Sequence, residues 1–224
     1  HAWLLGGVQG IGKASFAYRI ARFMLAAGDP LARIAAAGTL DVAATEPAAR
    51  RILAQSHPDL HVLRRTVKPD GKGVTSNIPV DCVRRVIDRF GSSAAEGGWR
   101  VCIVDSAEDL DRSGGNALLK LLEEPPPRAL FLIVAHAPGR LLPTIRSRCR
   151  LLGFQPLAEA DIVEAAHAAL DAAGQPVDEP ALRRSAALAE GSVRRALAYA
   201  DPQTLALVEA VRARLDALPA LDIP

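Results

Sequence analysis

Gly7-Val8-Gln9-Gly10-Ile11-Gly12-Lys13 puts three glycines and a lysine where an anion could be cradled. The segment fills all but the last position of the pattern G-x-x-x-x-G-K-[ST]. Glycines let backbone N–H groups turn inward as a nest, and a following helix adds the positive end of its dipole. The lysine can then reach the β- and γ-phosphates of a nucleotide. The same spacing also suits a plain glycine-rich strand-to-helix turn. The surroundings favour the phosphate loop: Ala2-Trp3-Leu4-Leu5 precede it as a strand, and Phe16, Ile20, Phe23 and Met24 follow at helical spacing. The last position breaks the pattern. Ala14 stands where Ser or Thr would ligate Mg²⁺, and Ser15 lies about 100° further round the helix.

A second site of chemistry follows the apolar run Val101-Cys102-Ile103-Val104, which ends in Asp105. A carboxylate at such a strand end can support Mg²⁺ beside a phosphate loop. The next residue is Ser106, and the nearest acidic side chain beyond it is Glu108. A hydroxyl cannot orient an attacking water as a carboxylate does. The expectation is a vestigial nucleotide site at Gly7, Gly10, Gly12, Lys13 and Asp105, with ATP and Mg²⁺ binding in doubt and no cofactor required.

Those residues need elements to hold them. Leu60 to Arg65, 101–104, Leu130 to Ala135 and Leu151 to Phe154 read as strands. Gly28-Asp29-Pro30 ends the first helix, and Thr45-Glu46-Pro47 starts another. Lys68 to Gly73 reads as an exposed turn, and Asp81 as the cap of a helix carrying Val83, Val86, Ile87 and Phe90. A helix through residues 117–122 stops at Pro125-Pro126-Pro127. Alternating strands and helices argue for a parallel sheet covered on both sides. Past Pro156 the β signal ends. Helices are expected at about 158–173, 180–190, 192–200 and 203–217, with Gly191 as a C-cap and Ser192 as an N-cap. The expected division is 1–155 for the α/β domain, 156–202 for a helical lid, and 203–224 for the start of a linker.

Composition narrows the classes. Half of the 224 residues are hydrophobic, but aromatics are only 4%, so the core must be aliphatic. No apolar run reaches the eighteen or so residues of a membrane span, and no secretory leader is recognisable. The chain opens inside a strand at His1 without a Met, so a longer protein is expected, with any upstream targeting segment left open. Cys82, Cys102 and Cys149 are widely spaced and form no CxxC pair, so reduced thiols in a cytoplasmic protein are favoured over a metal or redox site. A net charge of +2 does not by itself indicate a nucleic-acid partner.

Further motifs give a resemblance. Asp105 to Pro127, with Asn116-Ala117-Leu118-Leu119-Lys120 and Leu122-Glu123-Glu124-Pro125-Pro126 at its centre, resembles the segment after the Mg²⁺-supporting aspartate in bacterial clamp-loader subunits, which are AAA+ proteins. Ser147-Arg148-Cys149 resembles that family's SRC motif, and Gly191 to Leu197 its sensor-2 segment. The four matches run in the family's order over residues 1 to about 200. The resemblance implies a P-loop AAA+ domain with a central parallel sheet and a helical lid. It also implies Arg148 as an arginine finger acting on a neighbouring subunit's ATP; the plainer alternative is an arginine capping nearby loop carbonyls. Arg194 takes the sensor-2 position, where a structural role is equally open. At the sensor-1 region Ala135-His136 offers no obvious polar sensor, and His136 reads as a loop residue.

Active members of the family carry a Mg²⁺-binding hydroxyl and a catalytic Glu at the positions of Ala14 and Ser106. Lacking both and keeping SRC, the chain resembles the delta-prime type: a subunit of the DNA polymerase III clamp loader that hydrolyses nothing itself. Implied partners are gamma/tau and delta subunits, and the sliding clamp and primed DNA through the complex; no membrane is implied. The alternatives are a gamma/tau-like ATPase motor rescued by Ser15 or Glu108, and an unrelated phosphate-loop kinase, which leaves the SRC and Leu-Glu-Glu-Pro-Pro segments unexplained. Two departures are plain. Residues 28–60 hold no cysteine, so the family's four-Cys zinc module has no ligand set and no zinc is expected. The length past Phe154 suits a lid but not the collar that joins subunits into a ring.

Overall fold

The computed structural model describes residues 1–36, 38–68, 71–91, 94 and 98–218. Short β-branched and leucine-rich runs form five strands: β1 (Ala2–Gly6), β2 (Leu60–Leu63), β3 (Arg100–Val104), β4 (Ala129–Ala135) and β5 (Arg150–Gly153). They make one sheet in the order β2-β3-β4-β1-β5, with every pairing parallel. Every residue of β3 and β4 is buried, as a strand covered on both faces requires.

Side chains alternate between two cores, as the pleat dictates. Cys102, Val104, Phe131 and Ile133 point to one core, where they meet Val83, Val86 and Phe90 of α4 (Val80–Gly91) and Leu118 and Leu122 of α5 (Arg112–Glu123). Val101, Ile103, Leu132 and Val134 point to the other. There they meet Ala17, Ala21, Phe23 and Met24; counting from the N-terminus, these belong to α1 (Lys13–Leu25). Among the described residues before Phe154 the other α-helices are α2 (Pro30–Ala36), α3 (Pro47–Leu53) and the one-turn α6 (Pro143–Arg146), whose Ile145 sits in the first core.

The chain divides into two compact units, His1–Gly7 with Lys13–Phe154, and Val8–Gly12 with Gln155–Pro224. The second unit holds α7 (Glu159–Ala172), α8 (Glu179–Leu188), α9 (Val193–Tyr199) and α10 (Pro202–Asp216). Three of these start on a side-chain cap: Asp178 accepts from Ala181 N, Ser192 from Arg195 N, and Asp201 from Thr204 N. Among the described residues no strand follows Gly153.

Local details differ from the sequence reading. β2 ends at Leu63, because Arg64 and Arg65 are exposed and leave the ladder. Asp81 lies within the first turn of α4, two residues past the cap position at Pro79. The cap of α8 is Ala189, two residues before the expected Gly191, and the left-handed residues that follow are Glu190 (φ 50°) and Gly191 (φ 83°). Of the turn at 68–73, Lys68 and Gly71 to Gly73 are exposed, with Lys68 N donating to Gly73 O; Pro69 and Asp70 lie outside the described residues.

Candidate nucleotide site and arginine loop

In a parallel sheet the C-terminal strand ends share one edge, where α/β proteins place their ligands. The register sets Gly6 beside Ala135 and Val104 beside Ile133. The ends of β1, β3 and β4 therefore lie next to one another. They carry Gly7 and then Lys13, Asp105 to Glu108, and His136.

Lys13 is only 2% exposed and donates to the carbonyl of Gly7 at 2.5 Å. Burial holds its ammonium pKa below the ordinary lysine value, against the opposing pull of Glu108 and then Asp105. Ser106 sits in the left-handed region at φ 62°, ψ 72°, an uncommon conformation for a residue with a side chain. There its Oγ lies 3.0 Å from His136 Nε2. Burial, and next the charge of Lys13, lower the His136 pKa, which keeps that ring neutral near pH 7. Glu108 Oε1 accepts from Ala137 N at 2.5 Å. Its carboxylate is thus held by backbone at the end of β4.

The chemistry of this donor set does not fit a catalytic Mg²⁺–nucleotide centre. Ala14 supplies no oxygen, and Ser15 is exposed on the surface of α1. Ser106 occupies the place next to Asp105 and is turned onto a histidine. Lys13 and Asp105 remain as a lysine and a carboxylate near one strand edge, and these two are what the chain retains of the motif.

The middle of the glycine loop belongs to the second compact unit. Gly10 has φ +85°, and a Cβ there would stand 2.2 Å from Ser192 Oγ and 2.6 Å from Arg194 Cβ. Gly10 O accepts from Arg194 N at 3.3 Å. Two N–H groups at the start of α9 are thereby satisfied, one by Ser192 Oγ and one by a loop carbonyl. The Arg194 side chain itself is exposed.

Arg148 lies in the link between α6 and β5, with its side chain 34% exposed. Its guanidinium donates to Thr144 O at 2.9 Å and to Ser147 Oγ at 3.3 Å, and pairs with Glu123 Oε1 at 2.6 Å. Capping of a nearby carbonyl, that of Thr144 in α6, is therefore present, alongside an ion pair that the sequence reading missed. Nothing in sequence spacing links residues 123 and 148. Likewise Ser106 and His136 meet only because β3 and β4 are neighbours.

The cysteines are dispersed. Burial raises the Cys102 thiol to about 12 and, with a smaller opposing effect of the N-terminal charge, the Cys149 thiol to about 11. Among the described residues no group of three or more His, Cys, Asp and Glu side chains could hold a metal ion. No helix among them is long and apolar enough to cross a membrane.

Fold and strand-edge motif together define a P-loop protein of the AAA+ class. The RuvB Holliday junction branch migration motor of Thermotoga maritima shares this fold, with a TM-score of 0.51 at 16% identity over 96% of this chain and 55% of its own. A family model described as "DNA polymerase III, delta subunit" matches residues 1–158. The DNA polymerase III subunit delta' of Pseudomonas aeruginosa is 38% identical over 149 residues, 66% of this chain and 41% of its own length. The gamma subunit of Buchnera aphidicola is 28% identical over 197 residues, 88% of this chain and 50% of its own. The chain belongs to the family of the delta' subunit of the bacterial DNA polymerase III clamp loader. It spans half or less of the length of these two relatives.

Proposed function

We propose that the complete protein is a non-hydrolysing subunit of the DNA polymerase III clamp-loader complex, acting in the cytoplasm beside gamma/tau and delta subunits. In this reading it helps load the sliding clamp onto primed DNA, and Arg148 acts in trans on the ATP of a neighbouring subunit. The observation that carries the reading is a contrast within one chain. The chain's own phosphate loop lacks a Mg²⁺ ligand at Ala14 and a water-orienting carboxylate at Ser106, while Arg148 is displayed on a partly exposed loop. A guanidinium placed against a γ-phosphate neutralises charge that develops in transfer, an effect of about 10³ to 10⁵ in rate where it has been measured. The motor reading draws support from the longer stretch over which the gamma relative aligns.

The test compares Arg148→Ala and Lys13→Ala, each in the complete protein within the assembled complex. Arg148→Ala should leave assembly intact by size-exclusion chromatography and lower DNA-stimulated ATP turnover and clamp-loading rate at the one site it faces. Lys13→Ala should affect turnover less. The reverse order, or ATP hydrolysis by the purified subunit alone, would favour the motor reading.

A further inference from the structure

Glu123 is the last residue of α5, where the helix dipole presents its negative end. A carboxylate there opposes the dipole, Glu124 follows it directly, and the helix stops against Pro125. Helix stability therefore gives no reason for an acid at this position. Its observed contact does: Glu123 Oε1 lies 2.6 Å from Arg148, within the range of a charge-assisted hydrogen bond.

The remaining contacts of Arg148 show what that pair does. Thr144 O of α6 and the adjacent Ser147 Oγ hold one end of the guanidinium, and Glu123 holds another nitrogen from α5. An arginine carries roughly 2 kcal/mol of rotamer entropy when free. Anchoring from two elements removes much of that freedom before any partner arrives. A guanidinium has five N–H donors, so three contacts leave capacity for a phosphate oxygen. The pair is also only half-buried, at 34% and 46% exposure, so water screens it and the arginine is not locked into place.

We propose that Glu123 is a positioning residue for Arg148, orienting the guanidinium toward the nucleotide of an adjoining subunit before contact is made. The inference rests on the reading of Arg148 as a residue that acts in trans. Glu123 touches no phosphate itself and acts only through the arginine.

The experiment is a double-mutant cycle in the complete protein, reconstituted into the clamp-loader complex. Turnover of ATP is followed for wild type, Glu123→Gln, Glu123→Asp, Arg148→Ala and the Glu123→Gln/Arg148→Ala pair. Glu123→Gln should lower kcat about two- to fivefold, the range a half-exposed ion pair can supply, with KM for ATP unchanged. Glu123→Asp should recover part of the loss. In the Arg148→Ala background Glu123→Gln should have no further effect. Side-chain NMR of the arginine should show faster guanidinium rotation at Arg148 in Glu123→Gln, which reports positioning independently of turnover. A rise in kcat for Glu123→Gln would make the pair a restraint and overturn the proposal. So would a Glu123→Gln effect that persists without Arg148. If Arg148→Ala alone leaves turnover unchanged while Glu123→Gln still frees the guanidinium in the NMR experiment, the trans reading fails and the ion pair is structural only.

Discussion

Ala14 presents a methyl group where Mg²⁺ would need an oxygen, and the candidate substitutes among the described residues are otherwise placed. Ser15 is exposed, Ser106 is bonded to His136, and Glu108 is held by Ala137 N. Restoring one ligand therefore leaves the attacking water without a base to orient it. Ala14→Ser in the complete protein should show no ATP turnover above the unmodified subunit in a phosphate-release assay. Turnover within tenfold of an active gamma subunit would mean that Glu108 is released from Ala137 when nucleotide binds, and that the motor reading is correct.

At the scale of the element, the entry to α9 is closely packed. Gly191 has φ +83°, and a Cβ there would lie 2.3 Å from Pro156 Cβ and 2.7 Å from Pro156 Cα. Pro156 is backbone and ring and cannot swing aside. Gly191→Ala should destabilise this unit by about 2 kcal/mol or more, combining left-handed strain with a backbone clash. The comparison is Asp111→Ala in the first unit, which removes the cap on α5 that accepts from Gly114 N at 2.6 Å and should cost about 1 kcal/mol. Urea unfolding followed by probes placed in each unit should assign each loss to its own unit. A Gly191→Ala protein as stable as the original would show that the turn before α9 rearranges at no cost.

For the molecule as a whole, stability should fall in mild acid through a histidine remote from the phosphate loop. His61 of β2 packs against Phe90 at a centroid distance of 5.4 Å. Burial is the main reason its pKa drops to about 4, with Arg89 and Arg100 reinforcing and Asp59 opposing. An unfolded chain takes up that proton from pH 6.5 downward, whereas the folded chain resists until about 4. The unfolded state thus binds more protons across this window, so stability is full above pH 6.5 and is lost as pH falls toward 4, by at most about 1.4 kcal/mol per pH unit. His61→Leu should flatten the urea midpoint between pH 6.5 and 4. An unchanged slope would place the titration elsewhere, with His136 the next group of the same sign.

Much of this protein could be read without coordinates. Continuous apolar runs at 101–104 and 130–135 identify buried strands because their residues must face two cores, and Gly-x-x-x-x-Gly-Lys between a strand and a helix identifies a phosphate loop by local sterics alone. Ala14 lacks an oxygen and Ser106 lacks a carboxylate, and neither absence needs a structure to be noticed. Exact ends, such as the close of β2 at Leu63 and the turn at Glu190 and Gly191, were less legible, since a single residue's choice depends on what packs beside it. The contacts that give the site its character came from tertiary structure. Ser106 meets His136 through the order of parallel strands, Gly10 meets Arg194 through the packing of a loop on α9, and Glu123 meets Arg148 where a helix end approaches a strand entry. Sequence encodes such pairs only through the whole fold, because side chains far apart along the chain interact by distance in space and not by position in the chain.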